Sequence, residues 1–487
     1  SRGKNGAILI TTKSAKSDRL EFSVGTSNMF SAGFTVFPES QKEFGSGSNG
    51  KYEFWDGADG GISDGDMTWG PKLNSGIKVA QWNSPIRDKQ TGEVIPWWGD
   101  VSGTKYNDKS RYERVPIDWI AHNNLEDFLG TGLITENNAT LSYRSEKVSI
   151  FGTGKYAYQK GQVPNTKLST GGLNLNTSYR FTPEVQLDLN LSYNKVKSPN
   201  YPRYGYGPKN HMYTILLWMG NDVNGQELKD HLYIPGQEGY RQANYNYAWY
   251  NNPYFAANEL NQVYDQDILA GQTALTWRIS PEITIKGRAA ARQKNLFQDM
   301  QSPKSYMNYG DSRNGDYKNW DSKQLNFDAD VLATYIKQLS DNFGVTVNAG
   351  SSTFKRDYRE LYQTTDGLVV PFVYNLGNTQ GPVKATNTTT EKIIRSAYAS
   401  VNLNVFKSTY LNFSGRNDWS STLSKANQSF FYPSVSLSRV VSDYFKLPAQ
   451  IDFIKLYSSW ASVSSDLDPY SITATYKKDV TYGSTPS

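Results

Sequence analysis

The stretch Gly171–Lys197 constrains the fold of this chain more than any other. Read as two strands joined at Thr182-Pro183-Glu184, it places Val185, Leu187, Leu189, Leu191 and Tyr193 on one face of the second strand. Gln186, Asp188, Asn190, Ser192 and Asn194 fall on the opposite face. Successive side chains of a strand point to opposite sides, so this period of two gives one apolar and one polar surface. A soluble sandwich alternates as well. Two further features separate the possibilities: strands of about ten residues or more, and short turns alternating with long loops down the chain.

Taken in order, Ala7–Thr11 reads as a short apolar strand after a Gly/Asn turn, and residues 14–19 as a polar linker. Leu20–Ser31 is a first long strand, and 32–136 a very long irregular region with short helices such as Pro116–Leu129. Hairpins follow over 137–160 and 171–197, then a long loop over 198–266. Further pairs are expected at 267–280 with 282–294, 323–339 with 342–356, 393–406 with 409–419, and 432–443 with 453–464. The loops between them span 295–322, 357–392 and 420–431. Leu325, Phe327, Ala329, Val331 and Ala333 alternate with Asn326, Asp328 and Asp330, and burying those carboxylates in an apolar core would be costly. A water-filled lumen accepts them. The expected fold is all-β, a transmembrane antiparallel up-and-down β-barrel with short periplasmic turns and long extracellular loops.

Composition agrees. The chain has 487 residues, 37% hydrophobic and 14% aromatic, and no run of about eighteen apolar residues exists for a spanning helix. Charge is balanced, 51 basic against 46 acidic residues, which argues against nucleic acid. Zero cysteines exclude disulfides and thiolate metal sites. Ser1 is preceded by no signal segment, and Tyr470–Ser487 do not close a strand. The expectation is therefore a fragment of a longer precursor.

Several motifs carry a resemblance. SRGKNGAILITTK (Ser1–Lys13) resembles the end of the plug domain of SusC-like (RagA-type) TonB-dependent outer-membrane transporters. Glu43–Trp55, Thr68–Leu73 and Asn123–Gly132 resemble landmarks of that family's first extracellular region, and Gly415–Leu423, Phe431–Asp443 and Phe453–Ser464 its mid-barrel strands. The resemblance implies a barrel of about twenty-two strands, about thirteen of them here. By it, residues 1–13 are the end of the plug, with Arg2, Gly3, Asn5 and Gly6 at the plug–barrel tether, and 20–487 the N-terminal part of the barrel. It implies a SusD-like surface lipoprotein as lid, coupling to TonB–ExbB–ExbD through the absent part of the plug, and import of a glycan or oligopeptide. No cofactor is implied.

Other chemistry is weaker. Gly45-Ser46-Gly47-Ser48-Asn49-Gly50 spells G-x-G-x-x-G without the flanking strand and helix of a dinucleotide site. Asp56, Asp59, Asp64 and Asp66 invite calcium, but EF-hand spacing fails after Asp66, and solvated turn residues are the simpler reading. His122, His211 and His231 lack ligand spacing. No G-x-S-x-G elbow or H-E-x-x-H pair is present, so no catalytic residue is assigned and no enzyme is expected. The 198–266 loop carries Trp218, Tyr245, Tyr247, Trp249 and Tyr250 interleaved with Asn and Gln. Such residues suit self-packing, contact with a lid protein or contact with substrate. Trp320 and Tyr374 are further candidates. The rival reading is a secreted all-β carbohydrate-binding or glycoside-hydrolase protein, and a passive porin is a second; the plug-like Ser1–Lys13 speaks against the porin.

Overall fold

The computed structural model describes residues 15–472 apart from 16, 32–37, 53, 57–60, 63–66, 310–312, 407, 446–447 and 449–450. The tether residues Arg2, Gly3, Asn5 and Gly6 and the aspartates 59, 64 and 66 lie outside them. Thirteen strands form one antiparallel sheet in which each pairs with its neighbours in the chain. They are β1 (Glu21–Ser31), β2 (Gly132–Arg144), β3 (Val148–Lys160), β4 (Lys167–Arg180), β5 (Val185–Asn200), β6 (Asn261–Arg278) and β7 (Ile283–Ser302). After these come β8 (Asp316–Ser340), β9 (Phe343–Thr364), β10 (Lys384–Val405), β11 (Thr409–Ser420), β12 (Ser429–Val440) and β13 (Lys455–Ala461).

Register turns the alternation of single strands into two surfaces. Phe22, Leu141, Gly152, Leu175, Leu191, Gly271, Ala291 and Phe327 stand in line across β1 to β8. One residue along, the line reads Ser23, Thr140, Thr153, Asn174, Ser192, Ala270, Arg292, Asn326, Arg356 and Lys392. The first surface is open: Phe22 is 68% exposed, Leu173 62% and Leu269 57%. A continuous apolar face running over so many strands far exceeds the few hundred Å² that a water-soluble monomer exposes. It matches the lipid-facing band of a membrane barrel, and the polar surface matches a lumen. No described helix is long and apolar enough to cross a membrane.

The tight turns share one device. In the β4–β5 turn the Thr182 hydroxyl accepts hydrogen bonds from the amides of Glu184 (3.3 Å) and Val185 (3.2 Å). In the β6–β7 turn the Ser280 hydroxyl does the same for Glu282 (3.2 Å) and Ile283 (3.1 Å). A hydroxyl that satisfies the backbone two and three residues on, followed by proline with its preset φ, reverses the chain within a few residues.

At the other end the strands run further than their alternation suggests. β6 starts at Asn261, β7 reaches Ser302, β8 starts at Asp316, β9 reaches Thr364 and β10 starts at Lys384. The extensions stand outside the apolar band, where both faces meet polar surroundings, so no apolar period marks them. The loops shrink accordingly to 201–260, 303–315 and 365–383. Within the first long loop, 116–129 is not one helix. Only α1 (Asn124–Phe128) is helical, while Ile117–Asp118 pairs with Lys78–Val79.

The apolar core lies in these loops rather than in the sheet. Trp82, Phe128, Ile215, Val223, Leu228, Tyr245 and Tyr254 form one cluster, bringing residues 82–128 onto 213–257. A second joins Ile86, Trp97, Val101 and Tyr112 to Ile234, Ala243 and Tyr247. The long loops thus fold together into a cap at one end of the wall.

Candidate functional site

The cap is built where regular pairing stops. Its later half carries α2 (His211–Tyr213), a π-helical turn over Thr214–Trp218, α3 (Gly225–Asp230) and α4 (Pro253–Glu259). These helices are too short to satisfy much backbone, and side-chain amides do it instead. Asn252 caps α4 by accepting from Tyr254 N (2.9 Å), and its Nδ2 donates to Leu228 O (2.8 Å) and Ala243 O (3.0 Å). Asn251 Nδ2 donates to Pro208 O (3.0 Å) and Met307 O (2.8 Å). Gln242 Nε2 donates to Asn251 Oδ1 (2.9 Å) and Ser305 O (2.7 Å). Buried polar backbone must be paired, and here the Asn and Gln between the tyrosines pair it.

Two buried ion pairs tie distant segments. Arg114 pairs with Asp56 and donates to Ser84 O (2.9 Å), with its guanidinium 5.3 Å from the Phe54 ring. Arg241 reaches Asp100 at 2.5 Å and lies 4.9 Å from the Tyr247 ring. The guanidinium of Arg114 therefore occupies Asp56, the one described carboxylate of the four weighed for calcium. Among the described residues no group of three or more His, Asp or Glu could hold a metal ion. The glycine-rich 45–50 segment is a packed crossing: Gly47 N donates to Met67 O (2.9 Å) and Gly70 N to Gly45 O (2.9 Å). Gly47, at φ +113°, has the Lys51 carbonyl where a Cβ would stand. The amide and hydroxyl of Ser46 donate to the buried Asp222 carboxylate (2.6 and 2.8 Å). Burial nevertheless raises the Asp222 carboxyl above its usual range, with the Ser46 bonds opposing.

The aromatic candidates separate by position. Tyr245, Tyr247 and Tyr250 are buried in the cap core. The Tyr247 hydroxyl donates to Gln242 O (2.9 Å) and accepts from Asn244 N (3.0 Å), and burial pushes its ionisation well up. Tyr250 stacks on Trp218 at 6.1 Å and 16°. Trp218 is half-buried, its Nε1 without a partner, whereas Trp249 is 51% exposed. Trp320 lies on the luminal parity of β8, edge-on to Tyr362 at 6.3 Å, and its buried Nε1 has no partner. The Tyr374 hydroxyl is likewise buried and unpartnered, and burial, then the Glu259 charge, raises its ionisation.

Three features have no counterpart among these candidates. The π-helical turn exposes Leu216 and Leu217 beside a cavity of about 770 Å³, also lined by Gln41, Lys42, Asn123 and Glu126. The run Leu368-Val369-Val370-Pro371-Phe372-Val373 exposes Val369, Val370, Phe372 and Val373, with the Phe372 ring against the space above Gly239. An unbroken apolar run inside a loop was the readable signal. The third is a luminal recess of about 550 Å³ lined by Arg288, Asp330, Tyr398, Arg416, Asp418 and Tyr432. There Arg288 Nε donates to Asp330 (2.7 Å), Arg416 Nε to Asp418 (2.8 Å), and the Tyr432 hydroxyl to Asp418. Opposite charges at matching parity on β7, β8 and β11 were its sequence signal.

A polar, charge-paired lumen beneath an aromatic cap resembles a passage with a capturing mouth rather than a catalytic pocket. No protein-family model matches the chain, and no curated protein resembles it closely enough to register. Solved structures do resemble it. A chain of the RagAB peptide importer in its closed-closed state aligns over 100% of this chain and 52% of its own length, with a TM-score of 0.66 and 16% identity. The open-open state of that importer aligns over 98% of this chain and 50% of its own length, with a TM-score of 0.65 and 16% identity. A further structure of the RagAB peptide transporter aligns over 75% and 41%, with a TM-score of 0.60. The chain thus spans about half the length of the solved chains it matches. These neighbours are transporters and not enzymes. The resemblance carried by the sequence motifs holds at the level of fold: this chain has the fold of an outer-membrane TonB-dependent transporter barrel, of the RagA type, over about thirteen strands of its wall.

Proposed function

We propose that the chain is the barrel part of an outer-membrane importer that takes up an oligopeptide or glycan together with a SusD-like surface lipoprotein closing over it as a lid. Residues 1–13 are the end of its plug, and TonB–ExbB–ExbD drive it through that plug from the periplasm. The observation that carries this reading is the pairing of a polar lumen with a folded aromatic cap at one end of a lipid-facing wall. A general pore needs no cap of this size, and a carbohydrate-binding domain in water has no use for the outward apolar band.

In this scheme Trp249, Trp218 and the exposed Leu216–Leu217 and Val369–Val373 surfaces contact the lid or substrate. Tyr245, Tyr247 and Tyr250 hold that surface in place. Trp320 and Tyr374 offer buried, unpartnered polar atoms to a substrate passing beneath. Paired Arg and Asp side chains in the lumen suit a peptide, whose ends carry both charges, as well as they suit a polar glycan. The peptide import named for the matched structures favours the peptide.

The test is to purify the whole protein from outer membranes in detergent. Any surface lipoprotein that co-purifies, and any ligand the pair carries, is then identified by mass spectrometry. The expected result is a stoichiometric lipoprotein with a bound peptide or oligosaccharide. A partner-free protein that stays soluble without detergent would return the secreted carbohydrate-binding reading.

A further inference from the structure

A third cavity, of about 230 Å³, lies where β3 turns into β4, between that turn and the cap residues Asp127, Phe128, Lys229 and Tyr254, and shares no lining residue with the two cavities above. Its wall includes Lys160, Lys167, Lys229, Asp127 and Tyr254, with the 161–166 turn closing one side. Lys160 and Lys167 face each other directly across the hairpin. Like charges so placed destabilise a sheet unless something between them carries the opposite sign. Lys229 arrives from the last turn of α3. None of the three ammonium groups makes an ion pair or hydrogen bond among the described residues.

The second observation is Tyr254, only 3% exposed, whose hydroxyl is sealed from solvent and has no hydrogen-bond partner. A buried hydroxyl without a partner costs free energy unless a ligand or water fills the role. It is held there by its edge-on contact with Phe128 at 5.1 Å and by the Asn252 cap beneath it. Burial, with Asp127 and Asp230 nearby, keeps the hydroxyl protonated up to about 12, so it is a donor at any physiological pH. We propose that this cavity is an oxyanion site that takes a phosphate group through Lys160, Lys167, Lys229 and the Tyr254 hydroxyl. Three lysines outweigh the single aspartate of the lining.

Size and height narrow the ligand. The cavity is smaller than the roughly 300–1,000 Å³ that drug-sized ligands occupy, so it fits a head group and not an oligomeric substrate. Lys160 and Lys167 continue the outward-facing column of β3 and β4, directly after Tyr158 and Ser169 and close to Tyr156, which is 51% exposed. Outward tyrosines mark the membrane–water interface in barrels, and cations just beyond them stand at head-group level. The phosphate thus belongs either to an outer-leaflet lipid or to a free phosphate at the surface. The inference is independent of what the barrel imports.

The test uses the whole protein and two probes. Inorganic phosphate is titrated into the detergent-solubilised protein, and the protein is separately placed in vesicles with phosphorylated or dephosphorylated lipid A. Melting temperature is the readout for both. Saturable stabilisation by inorganic phosphate would identify a free-phosphate site, and stabilisation by phosphorylated lipid A alone would identify a head-group site. In either case the K160Q/K167Q/K229Q variant and Tyr254→Phe should each weaken the response about tenfold or more, as the loss of charge-assisted hydrogen bonds predicts. Tyr254→Phe keeps the ring packing, so its melting temperature without ligand should stay near that of the parent, which guards against misfolding of the triple variant. No stabilisation by either probe, or the same response in parent and Tyr254→Phe, would overturn the assignment.

Discussion

In the wall, the backbone of β5 is paired with β4 on one side and with β6 on the other over nearly its whole length. In the cap, only a few residues later, the chain from Tyr201 to Leu260 has short helical turns and a single isolated bridge, Tyr233 with Gln242. The wall satisfies its polar backbone by repetition. The cap does so by individual side chains, Asn251, Asn252 and Gln242 among them. Repetition tolerates change at most positions provided its parity is kept, whereas a network of single partners fails where any key member is removed. The two regions should therefore respond to mutation in opposite ways.

The largest effect should come from the cap core. Trp82 is 1% exposed and joins both halves of the cap. Trp82→Ala should cost about 3–5 kcal/mol of cap stability. Limited proteolysis should then cut within 201–260 while the barrel keeps its heat-modifiable migration on gels. Loss of the barrel as well would show that wall and cap are one cooperative unit.

Parity should decide the next effect. Leu191→Arg, on the outward face, should destabilise the wall by about 2–4 kcal/mol in bilayers. Asn190→Arg, one residue away on the luminal face, should fall within about 1 kcal/mol of the parent. Equal costs in denaturant unfolding from vesicles would break the two-surface account.

A pH effect should be confined to the cap. Burial, and secondarily the Arg203 charge, lower the His211 imidazole to about 4, and its Nδ1 has no partner. The folded state therefore holds this histidine neutral, while the unfolded chain takes up a proton near 6.5. Stability is full above that value and falls as pH drops toward 4, by about 3 kcal/mol at most. Hydrogen exchange in 201–260 should speed up over this range while β4–β5 amides do not, and His211→Gln should flatten the dependence.

The smallest effect on stability should be at Trp249. Because it is 51% exposed, Trp249→Ala should shift cap stability by no more than about 0.5 kcal/mol. Under the proposed function it should still weaken capture of the lid lipoprotein, measured as the amount of lipoprotein retained on purification. Unchanged retention would remove Trp249 from the contact surface.

The wall could be read from the chain because its signal is local. Leu325 to Ala333 against Asn326 to Asp330 states both faces without reference to any other segment, and the Thr182 and Ser280 turns announce themselves. Reading fails where lipid ends, as at Glu360 and Asn387 in the extended ends of β9 and β10, since water on both faces leaves no period to detect. In the cap the residue types were legible but their roles were not. Tyr245 and Trp249 lie four residues apart in the same Asn/Tyr-rich run, yet one is core and the other surface. What separates them is packing against Trp82 and Phe128, more than a hundred positions earlier. The luminal pairs Arg288–Asp330 and Arg416–Asp418 depend on strand register, which parity suggests but pairing alone fixes.

The most direct test of the lipid-facing wall exploits a chain that contains no cysteine. Single cysteines at Asn190 and Leu191 would be introduced in the whole protein and reconstituted into vesicles. Each is then probed with a water-soluble maleimide and, after bimane labelling, with brominated acyl chains as quencher. The account predicts that Asn190→Cys reacts with the maleimide and escapes quenching, while Leu191→Cys resists the maleimide and is quenched. A Leu191→Cys that reacts freely from water, with no quenching by lipid, would contradict it.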